Sequence, residues 1–243
     1  MTVIEKLNFF PERSPFETGM KEPYEEFFKP LSDVIYFPVK KLSEATHRPD
    51  DQAIYMIAST FAMVCCLTLK QMKTPKTRRT FSIICGLTIN FYVFGCSAAA
   101  MLLINLICYL IMLMCPSKKQ HIGVFIVAGF GLCSAQFHKI IYDYGMNGLN
   151  LPICMMFNYC RITSLACCIK DGTVIAKARH EKGDKTRKIP LTELNVNLKR
   201  YELVYAVEEL PSFLDFMAYI YFCGASISGP WYEFRDFNDM INF

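Results

Sequence analysis

The sequence has 243 residues, of which 53% are hydrophobic, and its formal net charge is +4 at pH 7. Soluble globular domains contain roughly 45–50% apolar residues with glycine included, so the composition favours a membrane protein. The sequence has no phosphate-binding loop, G-x-S-x-G elbow, H-E-x-x-H pair or dinucleotide-binding glycine motif. Soluble hydrolase and nucleotidase functions therefore have no support.

Residues 1–52 form an N-terminal segment that we predict to be lumenal or interfacial. The first eleven residues lack both the basic and the apolar region of a signal peptide. Residues 31–42 mix aromatic and basic side chains and fit an interfacial segment, although Pro38 interrupts a continuous helix. A solvated linker is the alternative.

The first half of the remaining chain contains three candidate membrane spans. The first is 53–69, which carries no charged residue. The 38 uncharged positions of 80–117 are about twice the number needed to cross a bilayer. We predict two spans here, 80–95 and 97–115, with a reversal near Gly95, because glycine adopts the positive φ angle of a tight turn. One long, tilted or kinked helix is the alternative.

The other candidate spans contain or border charged residues and are 121–138, 152–169 and 213–229. Arg161 lies near the centre of the second of these, and Asp215 lies near the start of the third. We therefore predict that residues 53–243 form an all-α, polytopic transmembrane bundle of five or six helices.

Basic residues concentrate in three connections, which are 70–79, 116–120 and 170–202. Cytoplasmic loops carry the excess of Lys and Arg, so we predict that all three connections face the cytosol. Glu181 and Asp184 interrupt the basic stretch from Lys177 to Lys188. We interpret this stretch as a solvated loop near anionic headgroups and expect no nucleic-acid partner.

The twelve cysteines show neither a metal nor a disulfide pattern. Eleven lie within apolar stretches and no C-x-x-C pair occurs, so we predict small buried hydrophobic side chains and no bound metal. Cys115, at the end of a candidate span, is a palmitoylation candidate. His138 follows an apolar stretch, but no acidic residue adjoins it, and we do not predict it to be a catalytic base.

Arg161 precedes an Asp171-Gly172 pair, which we interpret as a turn, by about three helical turns. A charge in lipid is costly, so Arg161 should face the bundle interior or a water-filled cavity. It is either an anchor for a ligand phosphate or carboxylate, or a structural partner of a helix carbonyl or an acid. The sequence leaves both interpretations open.

Three ordered blocks carry a resemblance to a known family. They are HKIIYDYG at 138–145, GLNLPICMMFNYCRITSLACCIKDG at 148–172 and ELPSFLDFMAYIYFCGASISGPWYEFRDF at 209–237. Together they resemble the membrane-bound O-acyltransferase family, in its lysophospholipid acyltransferase branch. The resemblance runs from about the first span to the end of the chain and corresponds to about the N-terminal half of a family member, so it implies a partial family fold.

The resemblance implies a multi-pass enzyme of the endoplasmic reticulum that transfers a fatty acyl group from acyl-CoA to a lysophospholipid hydroxyl in phospholipid remodelling. Its expected partners are membrane lipids, the lysophospholipid and acyl-CoA, the last as a co-substrate without a further cofactor. In such enzymes a histidine deep in the membrane, helped by an Asn or Asp, acts as general base. Nearby donors stabilise the developing oxyanion.

The family's catalytic residues follow the Gly-Pro block, so the resemblance assigns no catalytic residue here, and His138 matches an earlier family position. The motif positions that carry over are Arg161, Asp171, Gly172, Pro211, Gly229 and Pro230, and residues 231–234 match a variable aromatic lip. The candidate substrate-binding residues of the tunnel are Arg161, Asp171, Gly229, Pro230, Trp231, Tyr232 and Phe234.

We therefore expect a lysophospholipid acyltransferase in the form of a truncated chain that is inactive alone. Within the family, the alternatives are an inactive relative retained as a membrane partner and a half that assembles with a second chain. The competing hypothesis outside the family is a non-enzymatic membrane interaction protein or a transporter-like subunit, in which the broken Gly-Pro helix acts as a gate.

The stretch from Lys177 to Lys188 should be open to protease added to sealed microsomes, because its basic residues place it in the cytosol. A tag placed before Met1 is the control and should be protected until detergent is added. Protection of the Lys177 to Lys188 stretch in sealed vesicles would contradict the topology.

Overall fold

The computed structural model describes most of the chain, and most of what it describes is helical. The described residues are 37–47, 50–95, 97–116, 119–142, 151–182, 196–227, 229 and 231–243. These ranges contain no strand, so the predicted all-α fold is confirmed. The elements are α1 (residues 37–46), α2 (Asp50–Gln71), α3 (Pro75–Phe94), α4 (Ser97–Met114), α5 (Gln120–Tyr142), α6 (Leu151–Glu181), α7 (Arg200–Tyr205), α8 (Phe213–Ile220), a 3-10 turn (Cys223–Ala225) and α9 (Phe234–Asn242).

Four helices, α2, α4, α5 and α6, are long and apolar enough to cross a membrane. The stretches that qualify are Gln52–Gln71, Ser97–Met114, Gln120–Ile141 and Leu151–Glu181. Large apolar side chains point outward from these helices, among them Phe61, Leu103, Leu113, Phe130 and Phe137. Because water would make so large an apolar surface unfavourable and lipid does not, the chain is a multi-pass membrane protein.

α3 ends at Phe94 and α4 begins at Ser97, so the helix is interrupted at Gly95, where the sequence predicts a reversal. Gly95 has a φ of 53° and a ψ of −136°, a backbone conformation that strains any residue with a Cβ atom. α3 begins at Pro75, where the side chain of Thr74 caps the first turn. An uninterrupted helix across 80–117 is therefore wrong, and the choice between two spans and one kinked helix stays a prediction.

α3 differs from the four apolar helices although it is 20 residues, or about 30 Å, long. Its first turn is basic, and its buried face contains Ile89 and four small or polar residues, which are Ser82, Cys85, Gly86 and Asn90. This face packs against α2, α4 and α8 in the bundle interior. α3 is less apolar than the other long helices because protein, in place of lipid, surrounds it on several sides.

The predicted span 213–229 is wrong as a single membrane-crossing helix. α8 ends at Ile220, a turn follows at Tyr221, and the 3-10 turn comes next. Eight helical residues rise only about 12 Å, which is less than half of the hydrocarbon core. The described residues hold four long apolar helices where the sequence predicts five or six spans. We call residues 213–227 the broken segment.

α6 is longer than predicted, because it continues to Glu181 through the first part of the predicted loop 170–202. The turn predicted at Gly172 is therefore wrong. A Cβ atom at Gly172 would lie 1.9 Å from the carbonyl oxygen of Val207. The Val207 N–H donates to the Cys168 carbonyl at 3.0 Å. Glycine is needed at position 172 because the chain after α7 packs closely against α6 there. Gly172 does not end the helix.

α9 docks against the basic end of α3. One face of α9 is buried, and its residues are Phe234, Phe237 and Ile241. Arg78 donates to the Ile241 carbonyl at 3.1 Å, and Arg79 forms an ion pair with Asp215 at 2.7 Å. Part of the basic connection predicted at 70–79 is therefore the first turn of α3, where it binds α8 and α9.

Gly95→Ala should lower the free energy of unfolding by about 1–3 kcal/mol, because a Cβ atom is strained in this conformation. Gly129→Ala is the matched control, since a Cβ atom there meets no atom closer than 3.7 Å and α5 favours Ala. Thermal unfolding of both variants in one detergent measures the difference. Equal stability of the two variants would contradict the role of Gly95.

Candidate functional site

The broken segment lies inside the bundle. Residues 216–221 are all buried, and the backbone leaves the helical path at Tyr221. Irregular backbone at membrane depth occurs where protein surrounds it or where it lines a water-filled cavity, because lipid offers no hydrogen bonds. The neighbouring helices must therefore supply hydrogen-bond partners to this segment.

Arg161 on α6 is the charged donor to the broken segment, and its side chain is only 3% exposed. Its Nη2 donates to the Ala225 carbonyl at 2.6 Å, and its Nη1 donates to the Ile220 carbonyl at 3.5 Å. The carbonyl end of a helix carries partial negative charge, which the guanidinium group complements. Arg161 therefore has the structural partner that one interpretation of the sequence expects, and ligand binding by Arg161 stays a prediction.

Buried asparagines on three helices surround the same segment. Asn90 on α3 donates to the Ser226 hydroxyl. Asn105 on α4 donates to the Tyr221 phenol at 2.8 Å, and Asn158 on α6 donates to the side-chain oxygen of Asn105 at 2.6 Å. Through these bonds, α3, α4 and α6 all help to fix the position of the turn at Tyr221.

Gly86 allows α3 to approach the broken segment at its turn. A Cβ atom at Gly86 would lie 1.8 Å from the Tyr221 carbonyl oxygen. Ser226 donates to the Gly86 carbonyl at 3.1 Å, and the Cys154 thiol on α6 donates to the Ile227 carbonyl at 2.8 Å. The turn is therefore enclosed between α3 and α6.

The α6 residues that point into the bundle recur every three or four positions, the spacing of one helix face. They are Cys154, Asn158, Arg161, Leu165 and Cys168. This spacing is visible in the sequence and could have identified Asn158. The signal for Asn90 and Asn105 is weaker, since each is a lone amide in a charge-free stretch.

Residues 231–234, the predicted aromatic lip, pack against α8 and α6. The Tyr232 hydroxyl donates to the Tyr219 carbonyl at 2.7 Å, and the Tyr219 hydroxyl donates to the Tyr232 carbonyl at 3.2 Å. Burial raises the pKa of Tyr232, so its phenol remains a protonated donor. The Arg161 guanidinium lies 4.9 Å from the Tyr232 ring centre, and the Phe234 ring meets Tyr219 edge-on. Three predicted tunnel residues are thus brought together.

Glu233 connects the lip to α6, and the sequence analysis did not select it as a site residue. One carboxylate oxygen accepts hydrogen bonds from the Ser164 hydroxyl at 2.6 Å and from the Cys168 thiol at 3.9 Å. The other accepts from the indole N–H of Trp231 at 3.3 Å. Trp231 is 49% exposed, so the lip stays open on this side. In the sequence, the feature that could have identified Glu233 is a carboxylate within an aromatic stretch.

The other predicted tunnel residues lie differently. Asp171 is ten residues beyond Arg161 on α6, about 15 Å along the helix axis, and is not part of this cluster. Gly229 lies against the 3-10 turn, where an added Cβ atom would lie 2.1 Å from the Ala225 Cα. Pro230 lies outside the described residues. Substrate binding by these residues stays a prediction.

No family model matches this chain, but known membrane acyltransferases are similar to it in sequence. Over 196 residues it is 24% identical to lysophospholipid acyltransferase 6 of Drosophila melanogaster, a match that covers 79% of this chain and 25% of the relative. Over 209 residues it is 25% identical to membrane-bound glycerophospholipid O-acyltransferase 2 of Homo sapiens and of Gallus gallus, covering 84% of this chain and 37% of each relative. The chain thus spans between a quarter and just over a third of these relatives. The resemblance to membrane-bound O-acyltransferases is confirmed.

Arg161→Ala should lower the free energy of unfolding by about 3 kcal/mol or more, because two buried carbonyl groups lose a charged donor. Arg161→Lys keeps the charge with a single nitrogen and should fall between this variant and the wild type. Lys170→Ala, at an exposed position of the same helix, is the control and should change stability by less than about 0.5 kcal/mol. Thermal unfolding in one detergent compares the three. If Arg161→Ala is as stable as Lys170→Ala, the anchoring role is wrong.

Proposed function

We propose that this chain forms part of the membrane body of an acyltransferase, which transfers a fatty acyl group from acyl-CoA to a lysophospholipid hydroxyl in the endoplasmic reticulum membrane. The observation that carries the proposal is the similarity over 79–84% of the chain to a lysophospholipid acyltransferase and to glycerophospholipid O-acyltransferases. Both relatives act, by their names, as acyltransferases on phospholipid-derived acceptors.

The broken segment supports this function. A lysophospholipid joins an apolar chain to a polar headgroup, so a site for it must offer polar groups within an apolar bundle. Irregular backbone inside a membrane protein provides such polar groups, because its amides and carbonyls are not all used within one helix. Residues 213–227 and the lip after them place polar and aromatic side chains beside the apolar helices.

The reaction forms an ester bond to the lysophospholipid oxygen and breaks the thioester bond of acyl-CoA. The hydroxyl proton passes to a base, and coenzyme A leaves as the thiol. We assign binding and positioning to this chain's lip and broken segment. Arg161 and Tyr232 already direct their donors at backbone carbonyls, which suits a scaffold for the site.

Membranes containing this chain together with the part of the enzyme that carries the catalytic residues should transfer radiolabelled oleoyl groups from oleoyl-CoA to a lysophospholipid above the level of vector-control membranes. Membranes containing this chain alone should not. A photoactivatable lysophospholipid should also crosslink to the lip, which peptide mapping around Trp231 would detect. If the protein in its full length shows neither transfer nor crosslinking, the proposal fails. The alternative of a non-enzymatic or transporter-like membrane subunit would then be favoured.

His138→Ala should leave the transfer rate of that enzyme within about twofold of the wild type, because His138 is exposed near the end of α5 and matches a family position other than the base. Removing a true general base lowers a rate by about 10²–10⁴-fold. Lys139→Ala, at the next position, is the control for local effects. A fall of more than about a hundredfold in a folded His138→Ala protein would make His138 the base and overturn our assignment.

A further inference from the structure

Three buried polar side chains form a line of hydrogen bonds across the bundle. Asn158 on α6 donates to the side-chain oxygen of Asn105 on α4 at 2.6 Å, and Asn105 donates to the Tyr221 phenol oxygen at 2.8 Å. Asn105 is fully buried, Tyr221 is 1% exposed and Asn158 is 6% exposed. We call these three residues the polar chain. It connects α6 and α4 to the turn of the broken segment.

Each end of the polar chain has a hydrogen-bonding position that no described residue uses. The side-chain oxygen of Asn158 accepts no hydrogen bond within the described ranges. The Tyr221 phenol accepts from Asn105, but its own O–H donates to none of the described residues. Buried polar groups are almost always hydrogen-bonded, because burial without a partner is unfavourable. One end of the chain therefore needs a donor and the other needs an acceptor.

A neighbouring tyrosine shows that the open position is particular to Tyr221. Tyr219 is also fully buried, two residues earlier in the same segment. Its hydroxyl donates to the Tyr232 carbonyl at 3.2 Å, so protein groups satisfy it. The two phenols thus have equal burial and different hydrogen bonding.

The chemistry of the two ends limits what can bind them. The Tyr221 O–H would repel a cation, and the Asn158 oxygen would repel an anion. A neutral molecule that both donates and accepts satisfies the two ends at once. Both ends are bonded to the one amide group of Asn105, so a single small molecule can reach them. Water meets these requirements, and a buried water usually makes about three hydrogen bonds.

We propose that one water molecule binds between Asn158 and Tyr221. It donates to the Asn158 side-chain oxygen and accepts from the Tyr221 hydroxyl, and the second amide hydrogen of Asn105 is available as a third partner. The water closes the polar chain into a ring that joins α4, α6 and the turn at Tyr221. This site does not depend on the proposed acyl transfer.

Radiolytic labelling of the full chain in nanodiscs tests the water site. Brief X-ray irradiation converts water into hydroxyl radicals, which oxidise the side chains that contact it, and water enriched in heavy oxygen marks the products for mass spectrometry. Tyr221 should take up label at least about fivefold faster than Tyr219, because only Tyr221 contacts the bound water. Equal labelling of the two tyrosines would overturn the site.

Asn158→Leu removes the acceptor and should lower the labelling of Tyr221 to that of Tyr219. Ile162→Leu, at a fully buried position one turn later on α6, is the matched control and should keep the labelling of Tyr221 within about twofold of the wild type. Unchanged labelling of Tyr221 in Asn158→Leu would mean that solvent reaches it through an open channel, and the bound water would be wrong. If Asn158→Leu does not fold, the comparison of the two tyrosines in the wild type still decides.

Discussion

The hydrogen bonds from Arg161 to the carbonyls of Ile220 and Ala225 determine where the chain lies after α8. Those carbonyls face a membrane bundle, where neither water nor lipid can satisfy them. Arginine suits this task because its planar fork offers several donors in fixed directions and stays charged. Placed on α6, the longest helix in the described ranges, it holds an irregular segment inside the bundle. This donor is one of several that stabilise the irregular backbone there.

The surrounding helices are adapted to the same constraint. α3 has Gly86 and Asn90 where a lipid-facing helix would have large apolar residues. These two residues let α3 pack against the turn at Tyr221. At its basic end, Arg79 pairs with Asp215 at the start of α8. The broken segment is thus fixed at two places. An ion pair holds it near its start at Asp215, and Arg161 holds it on both sides of its turn, at Ile220 and Ala225.

A segment fixed in this way gives the aromatic lip a defined position. Tyr232 exchanges hydrogen bonds with Tyr219, and Glu233 accepts from Ser164 on α6. The two charges near the lip then have different uses. Arg161 donates to the protein's own carbonyls, whereas the Glu233 carboxylate accepts hydrogen bonds from Ser164 and Trp231.

The sequence by itself determined the features that depend only on residues close together in the chain. Charge-free stretches of sufficient length predict membrane helices, and Gly95 marks the end of α3 because its φ requirement is local. Tertiary structure decided the rest. The apolar run at 213–229 looks like a span, yet it is broken because Arg161 and Cys154 donate to its backbone carbonyls in place of helical hydrogen bonds. The helix through Gly172 likewise depends on the approach of a later segment. Such contacts join residues far apart in sequence, so no local pattern contains them.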